Sequence, residues 1–79
     1  MEKKIMIHTP FIKLDAALKL SNAVSTGGEA KSRIADGEVR VNGEVCTMRG
    51  KKLYPGDTVE IQEESYRIFS YGSNGNQSA

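Results

Sequence analysis

Apolar residues recur along this chain with two periods, and the switches between them divide it into elements. Ile5 and Ile7 alternate around Met6, which predicts a short strand over Lys3–Thr9. Pro10 closes it, because proline has no N–H to give a β-ladder. From Leu14 the period becomes helical: Leu14, Ala17 and Leu18 stand at i, i+3 and i+4. Ala16, Leu20 and Val24 are expected to widen that buried face. Asp15 sits in the first turn, where a carboxylate favours the helix dipole. Ser21 and Asn22 weaken the helix beyond Leu20.

A second helix is better punctuated. Thr26-x-x-Glu29 is a capping box, in which Thr26 accepts from the N3 amide and Glu29 reaches back to the Thr26 amide. Gly27 and Gly28 are poor helix formers, but at a helix N-terminus they leave backbone N–H groups uncovered. Ala30 and Ile34 supply the core contact. Gly37 suits the position after the C-cap, giving about ten helical residues, roughly 15 Å.

Period two then returns. Val39 and Val41 face one way and Arg40 the other. Asn42-Gly43 predicts a tight hairpin, since both residues tolerate positive φ, and the return strand is expected from Glu44 to about Met48. Arg49–Lys52 reads as a basic connection. Pro55-Gly56 suits a type II turn. Thr58–Gln62 reads as a strand, Glu63–Ser65 as a turn and Tyr66–Phe69 as a last strand. Residues 72–79, G-S-N-G-N-Q-S-A, lack core-forming side chains and read as a disordered tail. The fold class is α+β, with two short helices packed on a small, mostly antiparallel sheet in a single domain spanning residues 1–71.

At 79 residues there is material for one small core. The net charge of +1 hides a segregated pattern. Arg49, Lys51 and Lys52 form a basic run; Asp57, Glu60, Glu63 and Glu64 follow as an acidic one. A local basic patch is therefore compatible with a neutral total. Cys46 is the sole cysteine, so no internal disulfide forms and a reducing compartment fits. No secretion-type apolar region opens the chain, and no apolar run approaches the ~20 residues of a membrane span. A cytoplasmic protein is expected.

Four segments, K-L-D-x-x-L-K-L, T-G-G-E-A-K, D-G-E-V-R-V-N-G-E and P-G-D-T-V-E-I, together resemble the S-four RNA-binding domain, named for ribosomal small-subunit protein four. The likeness runs from Phe11 to Ile61. That domain also occurs in pseudouridine synthases, some tyrosyl-tRNA synthetases and a ribosome-associated heat-shock protein. No catalytic domain accompanies it here, so the chain resembles the small standalone bacterial members. For those the resemblance implies binding of structured RNA, commonly ribosomal RNA, with some members linked to assembly of the large ribosomal subunit. It implies no cofactor. Three positions depart from the family pattern. Lys13 and Gly28 stand where many members carry arginine, and Arg33 stands where members tend to be apolar. A lysine offers phosphate a point charge rather than a bidentate fork. Open amides at a helix N-terminus offset the side chain missing at Gly28. Arg33 is expected to lay its stem along the core edge and is given no RNA role.

The candidate RNA contacts are Lys13, Lys19, Lys31, Arg40, Arg49, Lys51 and Lys52, with the backbone amides of Thr26, Gly27 and Gly28. Lysine and arginine contacts to phosphate supply most sequence-independent affinity, and structured RNA is read largely through shape, phosphates and 2′-hydroxyls. Lys31 is the leading single candidate, about 100° around the helix from Ala30. Taken singly, any of these lysines is better explained as a solubilising surface charge; taken with the family pattern, the cluster reverses that balance. T-G-G-E is not a nucleotide loop, which needs G-x-x-x-x-G-K-[ST] after a strand. One histidine, His8, and one thiol, Cys46, do not make a zinc set. His8 reads as a strand-end residue and Cys46 as a small hydrophobe on the hairpin. Asp15, Asp36 and Asp57 have structural explanations, so acid–base catalysis is disfavoured and a non-enzyme is expected. Of Tyr54, Tyr66 and Tyr71, Tyr71 is the one expected to be exposed. The reading is a monomeric RNA-binding protein acting on ribosomal RNA or a ribosomal particle, without metal, membrane or small-molecule substrate. The alternative is a protein-docking module using the acidic segment or a sheet edge; double-stranded DNA is a third target.

Overall fold

A computed structural model describes residues 2–71; the predicted tail lies outside them. The chain runs β1 (Glu2–Ile7), β2 (Ile12–Lys13), α1 (Leu14–Leu20), α2 (Gly27–Ala35), β3 (Val39–Val41), β4 (Glu44–Val45), β5 (Lys52–Leu53), β6 (Thr58–Ile61) and β7 (Glu64–Ser70). Five strands form one sheet in the order β1-β7-β6-β3-β4. Its β3–β4, β3–β6 and β6–β7 pairs are antiparallel, and β1 joins β7 in parallel. A separate two-stranded ribbon pairs β2 with β5.

One core holds these layers together. Ile5 and Ile7 from β1, Val59 and Ile61 from β6, and Tyr66 and Ile68 from β7 are all buried. The helices cover that side with Leu14, Ala17, Leu18, Ala30 and Ile34, and Val24 fills in from the connection between them. Along β3 the pattern is buried, exposed, buried, so Arg40 points away from the core. Burying a Leu, Ile or Val side chain contributes roughly 1.5–3 kcal/mol, so this face decides the register of β1, β3, β6 and β7.

α1 buries a narrower stripe than its composition predicts. Ala16 is exposed and Leu20 is 54% exposed. At 100° per residue they lie about 200° and 240° around from Leu14, off the Leu14–Ala17–Leu18 stripe. Each helix ends in a Schellman motif. At α1, Asn22 takes φ 64° while the Ala23 amide donates to Leu18 O and the Asn22 amide to Lys19 O. At α2, Gly37 takes φ 77° while the Glu38 amide donates to Arg33 O and the Gly37 amide to Ile34 O.

Several predicted boundaries move. The Asn42-Gly43 hairpin forms with both φ positive, but its return strand stops at Val45 instead of Met48. After the Cys46 amide donates to Val39 O the chain turns away. The supposed basic connection contains β5, which pairs with β2; periodicity cannot detect two-residue strands. The last turn is Gln62-Glu63, so β7 takes in Glu64 and Ser65, and Gln62 adopts φ 57°. Pro55-Gly56 makes the predicted turn, with Gly56 at φ 98° and the Asp57 amide donating to Tyr54 O at 2.9 Å.

Candidate nucleic-acid interface

The N-terminus of α2 is built by its cap. Thr26 is extended (φ −137°, ψ 164°), and its hydroxyl accepts from the Glu29 amide at 3.0 Å. The Glu29 carboxylate reaches back one residue further than the sequence predicts, accepting from the Ser25 amide at 2.9 Å. Three consecutive N–H groups, of Thr26, Gly27 and Gly28, consequently have no acceptor among the described residues. The Ser25 hydrogen bond, with Arg33 adding to it, holds the Glu29 carboxyl below the usual carboxylate range. Lys19, in the last turn of α1, abuts this end: a β-carbon on Gly27 would meet Lys19 Cδ at 4.0 Å. Lys31 is exposed in the first turns of the same helix.

A second group gathers at the other end of α1. The β2–β5 register sets Lys13 opposite Lys52. The Leu14 amide donates to Lys51 O at 2.9 Å and the Asp15 amide to Arg49 O at 3.1 Å. Those two amides open α1, so carbonyls of the basic segment cap the helix and fix that segment beside it. Lys13, Arg49, Lys51 and Lys52 are all exposed. With α1 about 10 Å long, this group and that of Lys19 and the α2 N-terminal amides occupy its two ends, and Lys31 follows one turn further along α2.

Arg40 is not brought to either group. It lies on the outer sheet face in register with Glu60, and lines an open groove of about 570 Å³ with Glu38, Glu60, Glu63 and Glu64.

Ion pairing sorts the basic residues. Among the described residues, Lys3 pairs with Glu64 (3.5 Å), Arg67 with Glu2 (3.1 Å), and Arg33 with both Glu29 (3.3 Å) and Glu38 (2.9 Å). None of Lys13, Lys19, Lys31, Arg40, Arg49, Lys51 or Lys52 has a carboxylate within 4.0 Å among those residues. Arg33 is also raised above its usual pKa, chiefly by its hydrogen bond to Glu38, so its guanidinium is committed to the fold.

The most specific sequence motifs have a structural role. Asn42 Nδ2 donates to Asp57 Oδ1 (3.3 Å), Asn42 Oδ1 accepts from the Thr58 amide (3.0 Å), and Asp57 Oδ2 accepts from the Tyr54 amide (2.8 Å). V-N-G and P-G-D are thus two turns tied to each other.

Residues 5–69 match the S4 domain family. The chain belongs to that family. It is 45% identical over 62 residues to the probable ribosome maturation protein RlbA of Bacillus subtilis, covering 78% of this chain and 87% of that one. It is 36% identical over 59 residues to the putative RNA-binding protein YbcJ of Escherichia coli, covering 75% and 84% respectively. The solution structure of E. coli YbcJ, described as revealing an ALFAL motif involved in RNA-binding, superposes with a TM-score of 0.66 at 31% identity. That superposition covers 84% of this chain and 85% of that one. The match thus extends from the sequence motifs to the S4-type arrangement of two helices on a mixed sheet.

The remaining candidates are also placed. Tyr66 is buried in the core. Tyr71 is 52% exposed with its ring stacked 4.1 Å from His8, which sits just past β1. Tyr54 was not singled out from sequence as exposed, yet 49% of it is accessible. Its position after the buried Leu53 was the available signal. Cys46 packs against the core as a partly buried side chain. Among the described residues no group of three or more His, Cys, Asp or Glu is placed to hold a metal ion, and no helix is long and apolar enough to cross a membrane.

Proposed function

We propose that this protein is a non-enzymatic, monomeric binder of structured RNA, acting on ribosomal RNA or an assembling ribosomal particle. The contact surface on this reading is the one along α1: Lys13, Arg49, Lys51 and Lys52 at one end, Lys19, Lys31 and the Thr26–Gly28 amides at the other. The observation that carries it is the sorting of charge. Each of these lysines and arginines lacks a carboxylate partner among the described residues, whereas Arg33, in the same helix as Lys31, has two. Exposed, unneutralised cations release counterions when they meet phosphates. Three adjacent N–H donors at a helix N-terminus add an anion site that does not titrate. The relatives named for ribosome maturation and RNA binding agree with this reading.

Equilibrium binding to a structured ribosomal RNA fragment across a salt series tests it. Affinity should fall steeply as salt rises, and Lys31→Glu or Lys52→Glu should weaken binding about tenfold and flatten the salt slope. Tight binding indifferent to salt and to both reversals would refute the assignment. The acidic groove around Glu60, Glu63 and Glu64 favours one competing reading, the docking of a basic protein segment. Pull-down from nuclease-treated lysate separates the two: a partner retained after complete RNA digestion favours protein docking.

A further inference from the structure

Beyond phosphate contact, the β2–β5 ribbon carries a second kind of chemistry. Its register, Ile12 opposite Leu53 and Lys13 opposite Lys52, continues outward to set Phe11 opposite Tyr54. Leu53 is fully buried. Alternation therefore puts Phe11, Lys13, Lys52 and Tyr54 on the other face together. The two rings lie 5.8 Å apart at 48°, and Lys52 Nζ stands 4.9 Å from the Phe11 centroid. The result is an array of two rings beside two ammonium groups.

Two features of this array are unfavourable to the folded chain alone. Like charges directly opposite on a ribbon destabilise it, and neither Lys13 nor Lys52 has a carboxylate partner among the described residues. An aromatic ring half in water also forgoes burial. The backbone nonetheless holds the array firmly. The Tyr54 amide donates to Asp57 Oδ2 at 2.8 Å, Tyr54 O accepts from the Asp57 amide at 2.9 Å, and Thr9 Oγ1 donates to Phe11 O at 2.6 Å. A half-exposed ring on an anchored backbone beside two ammonium groups matches a nucleotide, whose base is flat and whose phosphate is anionic.

We propose that this ribbon face is a subsite for one unpaired nucleotide of the bound RNA, its base stacking on Tyr54 against Phe11 and its phosphate lying between Lys13 and Lys52. The proposal rests on the RNA reading above and deepens it. The preferred RNA is a helix with an unpaired base at a loop or bulge, because a base held within a duplex cannot present its face to Tyr54.

The full chain is titrated with two RNAs at one salt concentration: a blunt duplex, and the same duplex closed by a loop of unpaired adenosines. The looped RNA should bind more tightly. Tyr54→Ala should cut affinity for the loop roughly 5- to 100-fold more than for the duplex, and Tyr54→Phe should restore it. Adding the looped RNA to the unaltered protein should also move the Tyr54 ring-proton resonances upfield, a readout independent of any variant's folding. Equal affinity for the two RNAs with Tyr54 resonances unmoved overturns the stacking subsite and leaves phosphate docking intact. Binding of neither RNA at low salt overturns the RNA reading beneath it.

Discussion

Asp57 and Asn42 illustrate how single residues tie this fold together. Each carboxylate oxygen of Asp57 has its own donor, the Tyr54 amide and the Asn42 side chain, while Asn42 Oδ1 takes the Thr58 amide. Charge-assisted hydrogen bonds of this kind contribute about 1.5–3 kcal/mol each in mutational series, with solvent access favouring the lower end here. Asp57→Ala should therefore lower unfolding free energy by about 1–2 kcal/mol, measured by urea denaturation. Asp57→Asn should recover part of it, because the amide oxygen still accepts one of the two bonds. Arg33 shows the converse at the same scale: its two carboxylate partners remove it from the set of cations facing solvent unpaired.

Among the elements, α2 owes its N-terminal geometry to a titratable cap. Bonding to the Ser25 amide holds the folded-state pKa of Glu29 below its unfolded value. The sign follows from linkage. The stabilisation is fully present above the unfolded value, near 4.3, and is lost as pH falls through the lower folded value. Amide exchange at Ser25 and Glu29, corrected for intrinsic rate, should therefore accelerate as pH drops below about 4.3. Glu29→Gln should remove that acid-side dependence while keeping most of the cap, since glutamine can make the same reach. An unchanged pH profile in the variant would show that another group governs the helix end. α1, with seven residues, is too short to persist alone. It depends on the Lys51 and Arg49 carbonyls at one end and the Asn22 Schellman turn at the other.

For the whole molecule, the parallel β1–β7 pair joins the first strand to the last of the described residues, with Glu2 opposite Ser65 and Ile7 opposite Ser70. Ile5, 2% exposed, carries this closure into the core beneath the helices. Ile5→Ala should lower stability by about 2–4 kcal/mol, a large share of what a domain this size possesses. The loss should appear as one cooperative transition, with circular dichroism and tyrosine fluorescence shifting together. Selective detachment of β1, with the helices still native, would show that the sheet and the helical face are separate units. Electrostatically the basic residues are divided: Lys13, Lys19, Arg49, Lys51 and Lys52 lie at the ends of α1, while Arg40 sits amid glutamates on the outer sheet face.

Local sequence marked both helices, the Thr26 cap, the Gly37 stop, the Asn42-Gly43 hairpin and the Pro55-Gly56 turn, because the signal for each lies within a few residues of backbone, although α1 also needs the distant Lys51 and Arg49 carbonyls. The family was legible for the same reason, since its most specific motifs are those turns. Tertiary structure decided what depends on distant partners. The β2–β5 ribbon is too short to leave a period, and the parallel pairing of β1 leaves no local trace. The split of the basic residues into two groups at the ends of α1, with Arg40 elsewhere, follows from strand register and helix packing. Which cations were already neutralised was only partly legible: helical spacing offers Glu29 to Arg33 at i, i+4, but the chain reversal at Gly37 is what also brings Glu38 back to Arg33, while Lys31, two residues away, stays open.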